Sequence, residues 1–239
     1  MHQHNAFITL TDDQQHLPKD GSLNKKHFQD FVKRLRKKTG EKIRYYHSGE
    51  YGEKFRRPHY HACLFGYAFP DKTVWKTNGT NTLFVSKTLN ELWPFGFSSI
   101  GNFDFNTAAY VARYTLKKVY GAAGASHYQL TNPATGEVTE LTPEYSTMSR
   151  RPGIGASWLK KYQSDVYPKG RVVLRGQEMK PPKFYDRLFE EASPSQFESI
   201  KHDRQQAAKN SLDNSPERLK TRLAVLNYSL KQLKRSYES

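Results

Sequence analysis

Two strand-like segments stand so close together in this chain that they can pair with each other only as antiparallel neighbours. Residues 42–51 and 57–67 are both rich in aromatic residues, a composition that favours strands. Residues 52–56 connect them through a short charged turn. A turn of this length joins antiparallel strands, because parallel strands need a crossover of a dozen or more residues. The sequence therefore predicts an antiparallel hairpin in the first third of the chain.

Strand and helix patterns recur on both sides of this hairpin. Strand patterns lie at residues 7–11 and 97–103. Apolar residues repeat at helical spacing in three segments, at residues 22–38, 87–93 and 106–120. Ser22 and Asn106 are the predicted N-caps of the two longer helices. This order predicts an α+β fold, with a central antiparallel sheet and helices packed on it.

The character of the chain changes in its second half. Residues 121–148 predict a long loop with a small hairpin inside it, and from residue 181 three polar helical segments follow. We therefore expect a domain of residues 1–180 and a helical appendage of residues 181–239. Lys231, Lys234 and Arg235 lie beside an apolar stripe of leucines in the last helix, which predicts that the appendage binds DNA or a partner.

The formal net charge of +15 points to a polyanionic partner. Nucleic acid is the leading candidate, because neutralising phosphates releases counterions; a ribosomal or membrane-surface protein is the alternative. The sequence lacks an apolar run long enough for a membrane span, a secretory leader pattern and a phosphate-binding loop for ATP. One cysteine, Cys63, excludes an intrachain disulfide and fits a reducing cytoplasm.

His59 and His61 occupy alternate positions of the second strand of the hairpin. Residues two apart face the same side of a strand and lie about 6.6 Å apart along it, so both imidazoles can reach one ion. Glu50 is the predicted third ligand, because the turn brings it near His59; Glu53 is the alternative. Two imidazoles and a carboxylate suit Mn²⁺ or Mg²⁺. A zinc site that includes Cys63 is a further alternative, although a small buried thiol is favoured.

Tyr110 and Tyr114 lie one turn apart on the predicted helix, and Lys117 joins the same face. Taken alone, this spacing favours ordinary packing of half-buried tyrosines. The functional interpretation is a pair of nucleophiles, since a nearby cation and a metal-bound phosphate favour the phenolate of a group whose pKa is about 10. A second tyrosine allows a second transfer while the first product stays attached.

Basic residues near these tyrosines are candidate DNA contacts. Arg113 and Lys118 belong to the same predicted helix, and Arg150 and Arg151 precede a glycine-rich turn. Guanidinium groups and backbone N–H groups at such a turn can hold a phosphate.

Four runs of the sequence together carry a family resemblance. They are residues 7–11, 58–66, 108–118 and 148–155. In this order they resemble the HUH (His-hydrophobic-His) endonucleases, specifically the replication initiator proteins of the gokushovirus-like microviruses, which are single-stranded-DNA phages. The resemblance covers roughly residues 6–160. The chain departs from the family at its start, where members carry a longer, cysteine-containing segment before the first strand.

The resemblance implies a palm related to the RRM arrangement and a specific set of site residues. The implied metal ligands are His59, His61 and Glu50, and the implied catalytic residues are Tyr110, Tyr114 and Lys117. The implied activity is nicking of single-stranded origin DNA through a 5′-phosphotyrosine, followed by rejoining of the displaced strand. The implied setting is the host bacterial cytoplasm, with host helicase and polymerase as partners.

Two other interpretations of the residues remain open. A non-catalytic RRM-like module would stack bases on exposed tyrosines without cutting. A relaxase or transposase of the HUH class would use similar chemistry on DNA from a different source.

Overall fold

The structure of the protein is a computed structural model that describes residues 2–52, 56–79, 81–113, 119, 121–131 and 135–232. Two compact units are present, one up to Ser149 and one from Arg150 onward. The strands of the first unit are β1 (Asn5–Asp12), β2 (Arg44–Tyr51), β3 (Pro58–Phe65), β4 (Thr73–Asn78), β5 (Asn81–Val85), β6 (Gly96–Gly101), β7 (Gln129–Thr131), β8 (Val138–Glu140) and β9 (Tyr145–Met148). Its helices are α1 (Lys25–Thr39), α2 (Lys87–Leu92), α3 (Phe105–Arg113) and α4 (Ala122–His127).

The first unit is built on one antiparallel sheet with the strand order β4-β5-β6-β1-β3-β2-β9. This arrangement confirms the predicted α+β fold and the hairpin of β2 and β3. β1, the first strand along the chain, lies at the centre, between β3 and β6. The small hairpin predicted within the long loop is also present, as β7 and β8.

α1 covers one face of the sheet and forms the main core there. Its residues at helical spacing, Phe28, Phe31, Val32 and Leu35, are buried as the pattern predicts. Burying each such side chain stabilises the fold by about 1.5–3 kcal/mol. The helix begins later than predicted, with Asn24 as its cap.

Ser22 is therefore not the cap of α1, and its hydroxyl has a different partner. Oδ1 of Asn24 accepts a hydrogen bond from the backbone N–H of Lys26, at 3.0 Å. Oγ of Ser22 instead accepts from the backbone N–H of Thr142, at 2.7 Å. The end of the helix is as predicted, because Gly40 adopts the left-handed conformation with φ of 69° that closes a helix.

Three strands of the sheet have no counterpart in the sequence-based prediction. β4 and β5 form an exposed hairpin, and a bulge between Val74 and Lys76 breaks the alternation that would reveal β4. β9 pairs with β2 at the opposite edge. It has only four residues, inside the segment predicted to be a loop, and is too short to carry a pattern of its own.

The second unit is mainly helical. It contains α5 (Ala156–Val166), β10 (Val172–Leu174), β11 (Gln177–Met179), α6 (Lys183–Ala192), α7 (Pro194–Lys209), a 3₁₀ turn (Leu212–Asn214) and α8 (Pro216–Lys231). Leu159 and Tyr167 of the α5 region pack with Phe189, Phe197 and Ile200 in one core. Because this core recruits α5, the structural division falls after Ser149, about thirty residues before the expected boundary at 180/181, which stays a prediction for folding domains.

The leucine stripe of the last helix is exposed. Leu219, Leu223, Leu226 and Leu230 all lie on the surface of α8 in the described part of the chain. Lys234 and Arg235 lie outside the described residues, so the predicted binding role of this helix stays a prediction. Among the described residues, no helix has the length and apolar content needed to cross a bilayer.

Candidate active site

The two histidines of β3 are fixed by threonines of the neighbouring strand. Nδ1 of His61 lies 3.0 Å from the hydroxyl of Thr9, and Nδ1 of His59 lies 2.9 Å from the hydroxyl of Thr11. Thr9 and His61 are directly opposite in the register of β1 and β3, as are Thr11 and His59. Since opposite residues share a face, both imidazoles project from the same face, as predicted. These bonds engage Nδ1 of each ring and thereby set how each ring is turned.

Glu50 reaches the histidine pair from β2. It lies directly opposite His59 in the register, but its Oε1 is 2.8 Å from Nε2 of His61. Both side chains of this pair are buried, with exposed fractions of 6% for Glu50 and 2% for His61. The prediction that the turn brings Glu50 to the histidines is thus confirmed as a matter of position. Glu53, the alternative, lies outside the described residues.

The three predicted ligands do not surround a common point. Within the described ranges, no three His, Cys, Asp or Glu side chains are grouped as the ligands of one ion. Glu50 and His61 are instead hydrogen-bonded to each other. The donor types, two imidazoles and one carboxylate, fit a divalent cation, and an ion shared by the three residues requires Oε1 and Nε2 to separate.

A glycine gives His59 its space. A Cβ atom built on Gly52 would lie 2.7 Å from Nε2 of His59, closer than real side chains approach. Gly52 therefore permits the ring of His59 to lie against the backbone where β2 ends. No pattern in the sequence singles out this glycine.

Helix α3 brings Tyr110 to the same face of the sheet. The ring of Tyr110 meets the ring of His61 edge-on, with centroids 5.7 Å apart, and meets Phe7 in the same way at 6.3 Å. Phe7 and His61 are themselves stacked, at 6.0 Å. Tyr110 has an exposed fraction of 5%. The first of the two predicted nucleophiles thus packs directly on a predicted metal ligand.

The cap of α3 differs from the prediction by two residues. Oδ1 of Asp104 accepts a hydrogen bond from the backbone N–H of Thr107, at 2.8 Å, and Oγ1 of Thr107 accepts from the backbone N–H of Asp104, at 2.9 Å. This reciprocal pair is a capping box. Asp104, rather than Asn106, therefore starts the helix, and Thr107 at the third helical position was the overlooked signal.

The other predicted site residues are only partly described. Tyr114, Lys117 and Lys118 lie outside the described residues, and Arg113 is half-buried at the end of α3. The remaining two candidates, Arg150 and Arg151, are exposed at the start of the second unit. The roles predicted for all of these residues stay predictions.

Cys63 is a buried thiol on the histidine face. It packs in a small cluster with Phe7, Tyr110 and Val111. Burial raises the pKa of the Cys63 thiol to about 12, which opposes the thiolate form that zinc requires. This environment agrees with the favoured interpretation of a small buried side chain.

Ser48 is a polar residue of this face that sequence reasoning missed. It lies directly opposite His61 in the register of β2 and β3. Its side chain is fully buried, and its hydroxyl has no hydrogen-bond partner among the described residues. A buried hydroxyl without a partner costs stability, so Ser48 adds an unused polar group beside His61.

Comparison with known proteins gives the family. Residues 5–119 match the family of the Replication-associated protein ORF2. The Replication-associated protein ORF2 of Spiroplasma virus 4 is 33% identical over 226 residues, which cover 88% of this chain and 66% of that protein. The Replication-associated protein VP4 of Bdellovibrio phage phiMH2K is 30% identical over 203 residues, with coverages of 81% and 60%. The Replication-associated protein ORF4 of Chlamydia phage 1 is 28% identical over 196 residues, with coverages of 78% and 46%.

Residues 5–119 therefore belong to the Replication-associated protein ORF2 family, and the chain is a homologue of phage replication-associated proteins. It spans 66%, 60% and 46% of the lengths of the three relatives, so less than two thirds of each. No solved structure matches the chain significantly. The family segment contains all the strands and the helix that hold His59, His61, Glu50 and Tyr110.

Proposed function

We propose that this protein initiates rolling-circle replication of a phage genome by cutting single-stranded origin DNA with a tyrosine. The observation that carries the proposal is the contact of Tyr110 with His61, at 5.7 Å between ring centroids, on the sheet face that also holds Glu50 and His59. A nucleophile and a set of metal-type donors on one face suit phosphoryl transfer. The names of the relatives, all replication-associated proteins, support the same class of activity.

The proposed cutting step exchanges one phosphate ester for another. The phenolic oxygen of Tyr110 or Tyr114 gives up its proton and forms a bond to the scissile phosphorus. The bond from phosphorus to the 3′ oxygen breaks, and that oxygen takes up a proton. The products are a 5′-phosphotyrosine and a free 3′-hydroxyl, so the bond energy is kept for rejoining. The second tyrosine then repeats the step on the displaced strand while the first product remains attached.

The residues around Tyr110 prepare it for this step. Phe7 and His61 hold its ring from two sides, so that the ring is fixed and only its oxygen must reach the DNA phosphate. Such positioning lowers the entropic cost of attack. Lys117, which lies outside the described residues, is proposed to assist by favouring the phenolate.

We further propose that His59, His61 and Glu50 hold Mn²⁺ or Mg²⁺. When bound there, the cation supplies a positive charge that polarises the scissile phosphate and stabilises the transition state. Thr9 and Thr11 orient the two imidazoles through Nδ1 and leave Nε2 of each ring for the ion.

A covalent-adduct assay tests the proposal. The full chain is incubated with origin single strand and Mn²⁺, and the products are separated on a denaturing gel. We expect a protein–DNA adduct that Tyr110→Phe combined with Tyr114→Phe removes. Tyr228→Phe, at an exposed tyrosine of α8, is the matched control and should keep the adduct. An adduct that survives the double substitution contradicts the tyrosine assignment.

A second candidate function, a non-catalytic module that binds single-stranded nucleic acid, is favoured by one observation. Glu50 and His61 are bonded to each other, and no three ligands are grouped in the described residues. This candidate predicts salt-dependent DNA binding with no adduct and no response to EDTA. Loss of adduct in EDTA argues against it, and cutting that continues in EDTA argues against the metal role of the histidines.

Partners follow from the proposed function. The origin single strand is the proposed substrate, and Arg113, Lys118, Arg150 and Arg151 are proposed phosphate contacts. Host helicase and polymerase in the bacterial cytoplasm are proposed to unwind and extend the nicked strand.

A further inference from the structure

Two exposed aromatic rings stand together on the sheet, away from any core. The ring of Trp75 on β4 lies 4.9 Å from the ring of Phe97 on β6, measured between centroids, and the two rings are tilted by 53°. Trp75 is 51% exposed and Phe97 is 46% exposed. Large apolar side chains of this size usually contribute to a core, so a paired exposed set points to a surface that binds something. Here Trp75 and Phe97 are called the aromatic platform.

The aromatic platform lies on the same face of the sheet as the histidines. Phe97 is directly opposite Thr11 in the register of β6 and β1, and Thr11 is directly opposite His59 in the register of β1 and β3. Opposite residues share a face, and neighbouring strands are about 4.8 Å apart. Phe97 therefore lies two strands, or about 10 Å, from His59 along the sheet.

The opposite face at this point is committed to packing. Ser98, the next residue along β6, donates a hydrogen bond from its hydroxyl to Oδ1 of Asn90, which belongs to α2, at 2.6 Å. Because side chains alternate along a strand, this bond fixes Ser98 on the helix-covered face and Phe97 on the histidine face.

The charge around the aromatic platform suits a polyanion. Residues 72–85 include Lys72 and Lys76 and no acidic residue, and both lysines are exposed. Asp71, just before this segment, is engaged by the hydroxyl of Ser86 at 2.7 Å and the backbone N–H of Thr88 at 2.8 Å. Its carboxylate thus belongs to the start of α2, and the hairpin of β4 and β5 keeps a net positive charge.

We propose that the aromatic platform stacks a base of single-stranded DNA a few nucleotides from the scissile phosphate, with Lys76 on the neighbouring phosphate. The inference rests on the proposed function, because it names how the same substrate continues across the sheet. A tryptophan and a phenylalanine offer π-faces that every base can use. Thr11 links the platform to His59, so a strand bound at both places runs from β3 across β1 to β6.

Tryptophan fluorescence reads the contact directly in the full chain. Of the three tryptophans, Trp93 is 1% exposed and buried in the core, whereas Trp75 is on the surface. We expect a thymidine homopolymer, which carries no origin, to quench the fluorescence as it binds. Trp75→Phe should remove most of the quench and keep most of the affinity, because a ring remains.

The affinity of alanine variants separates stacking from charge. Trp75→Ala should weaken binding of the homopolymer by roughly five- to a hundred-fold, with an unchanged slope of affinity against salt, because no charge is removed. Lys76→Ala should instead lower that slope. Val74→Ala removes an exposed apolar side chain from the same strand and is the matched control that should bind normally.

An abasic scan locates the stacked base on origin single strand. Removing one base at a time should weaken binding at one position, and that loss should disappear in Trp75→Ala if the two changes remove the same contact. Unchanged affinity of Trp75→Ala, or a quench that persists in Trp75→Phe, overturns the proposal and leaves a protein partner as the occupant of the platform.

The same variants keep this inference separate from the proposed nuclease. An adduct with origin DNA together with an unaltered Trp75→Ala affinity removes the platform and leaves the nuclease. Quenching and weakened binding at Trp75 without any adduct leave the platform and remove the nuclease.

Discussion

Oε1 of Glu50 is bonded diagonally to Nε2 of His61, at 2.8 Å, although the residue directly opposite Glu50 in the sheet is His59. The carboxylate thus leans along β3 toward the more deeply buried of the two imidazoles. In the proposed nuclease this bond gives way to a cation that Glu50, His59 and His61 share.

Glu50→Gln keeps the size of the side chain and removes its charge. We expect adduct formation at limiting Mn²⁺ to fall by roughly ten- to a hundred-fold, while the free energy of unfolding falls by about 1.5–3 kcal/mol at most, the range for one hydrogen bond to a charged group. A Mn²⁺ titration of the adduct assay and a denaturant titration measure the two effects.

Glu91→Gln is the control for this change. Glu91 forms an exposed ion pair with Lys38 at 2.6 Å and lies outside the site. Its variant should keep the Mn²⁺ dependence of the wild type. If Glu50→Gln keeps it too, Glu50 is not a ligand.

Thr9→Val tests whether the threonine of β1 acts through His61. The variant is close in shape and removes the hydroxyl that lies 3.0 Å from Nδ1. A ligand that loses such an orienting bond typically costs a site about ten- to a hundred-fold in metal affinity. We expect the Mn²⁺ concentration for half-maximal adduct to rise by that factor, with recovery of activity at saturating Mn²⁺. A loss that saturating Mn²⁺ does not restore indicates misfolding instead of a positioning role.

Gly52→Ala tests the space beside His59. The added Cβ would lie 2.7 Å from Nε2 of His59, so the ring must move. A displacement on the order of 1 Å can cost about a hundred-fold in rate, and we expect a loss of this order in adduct formation. The melting temperature, measured in parallel, should change little, because the ring of His59 is half-buried near the end of its strand. Normal activity in this variant argues that His59 does not take part.

His47 predicts a specific pH dependence of folding. Burial, and then the nearby His61, holds the pKa of His47 well below its usual value. The folded state therefore binds fewer protons than the unfolded state below about pH 6.5. The stability associated with neutral His47 is complete above that pH and is lost as the pH falls toward the lowered pKa, by at most about 1.4 kcal/mol per pH unit.

His47→Phe isolates this effect in denaturant titrations at pH 7 and at pH 5. The ring of His47 stacks on Phe28 at 3.6 Å, and its Nε2 has no hydrogen-bond partner among the described residues, so a phenyl ring can replace it with loss of only the Thr147 bond. We expect the stability of the wild type to fall more steeply than that of the variant. Parallel curves contradict the assignment.

The sequence predicted those parts of the site that depend on local periodicity. His59 and His61 alternate along a strand, and a five-residue turn brings Glu50 back to them, so neighbouring residues sufficed. Thr9 lies 52 positions before His61, and only the strand order of the sheet brings the two together. Without that order, nothing distinguished Thr9 and Thr11 from other polar residues of a strand.

Irregular and exposed elements escaped prediction for a different reason. β4 has no buried residue, so it carries no alternation of apolar and polar positions, and its bulge would have broken one in any case. Trp75 sits at that bulge. Its significance depends on Phe97, which reaches it only through the pairing of three strands.

The central position of β1 has a consequence for how the chain is made. β1 is the first strand to be synthesised, yet its two partners follow about 50 and 90 residues later. Until β3 and β6 have emerged, a very apolar strand has both edges open, a state prone to pairing with other chains. We expect slow acquisition of protection at the amides of residues 7–10 in pulsed hydrogen exchange during refolding, later than in α1, because non-local pairing is slow. A host that synthesises many copies at once thus meets its greatest aggregation risk before the helix that carries Tyr110 has been translated.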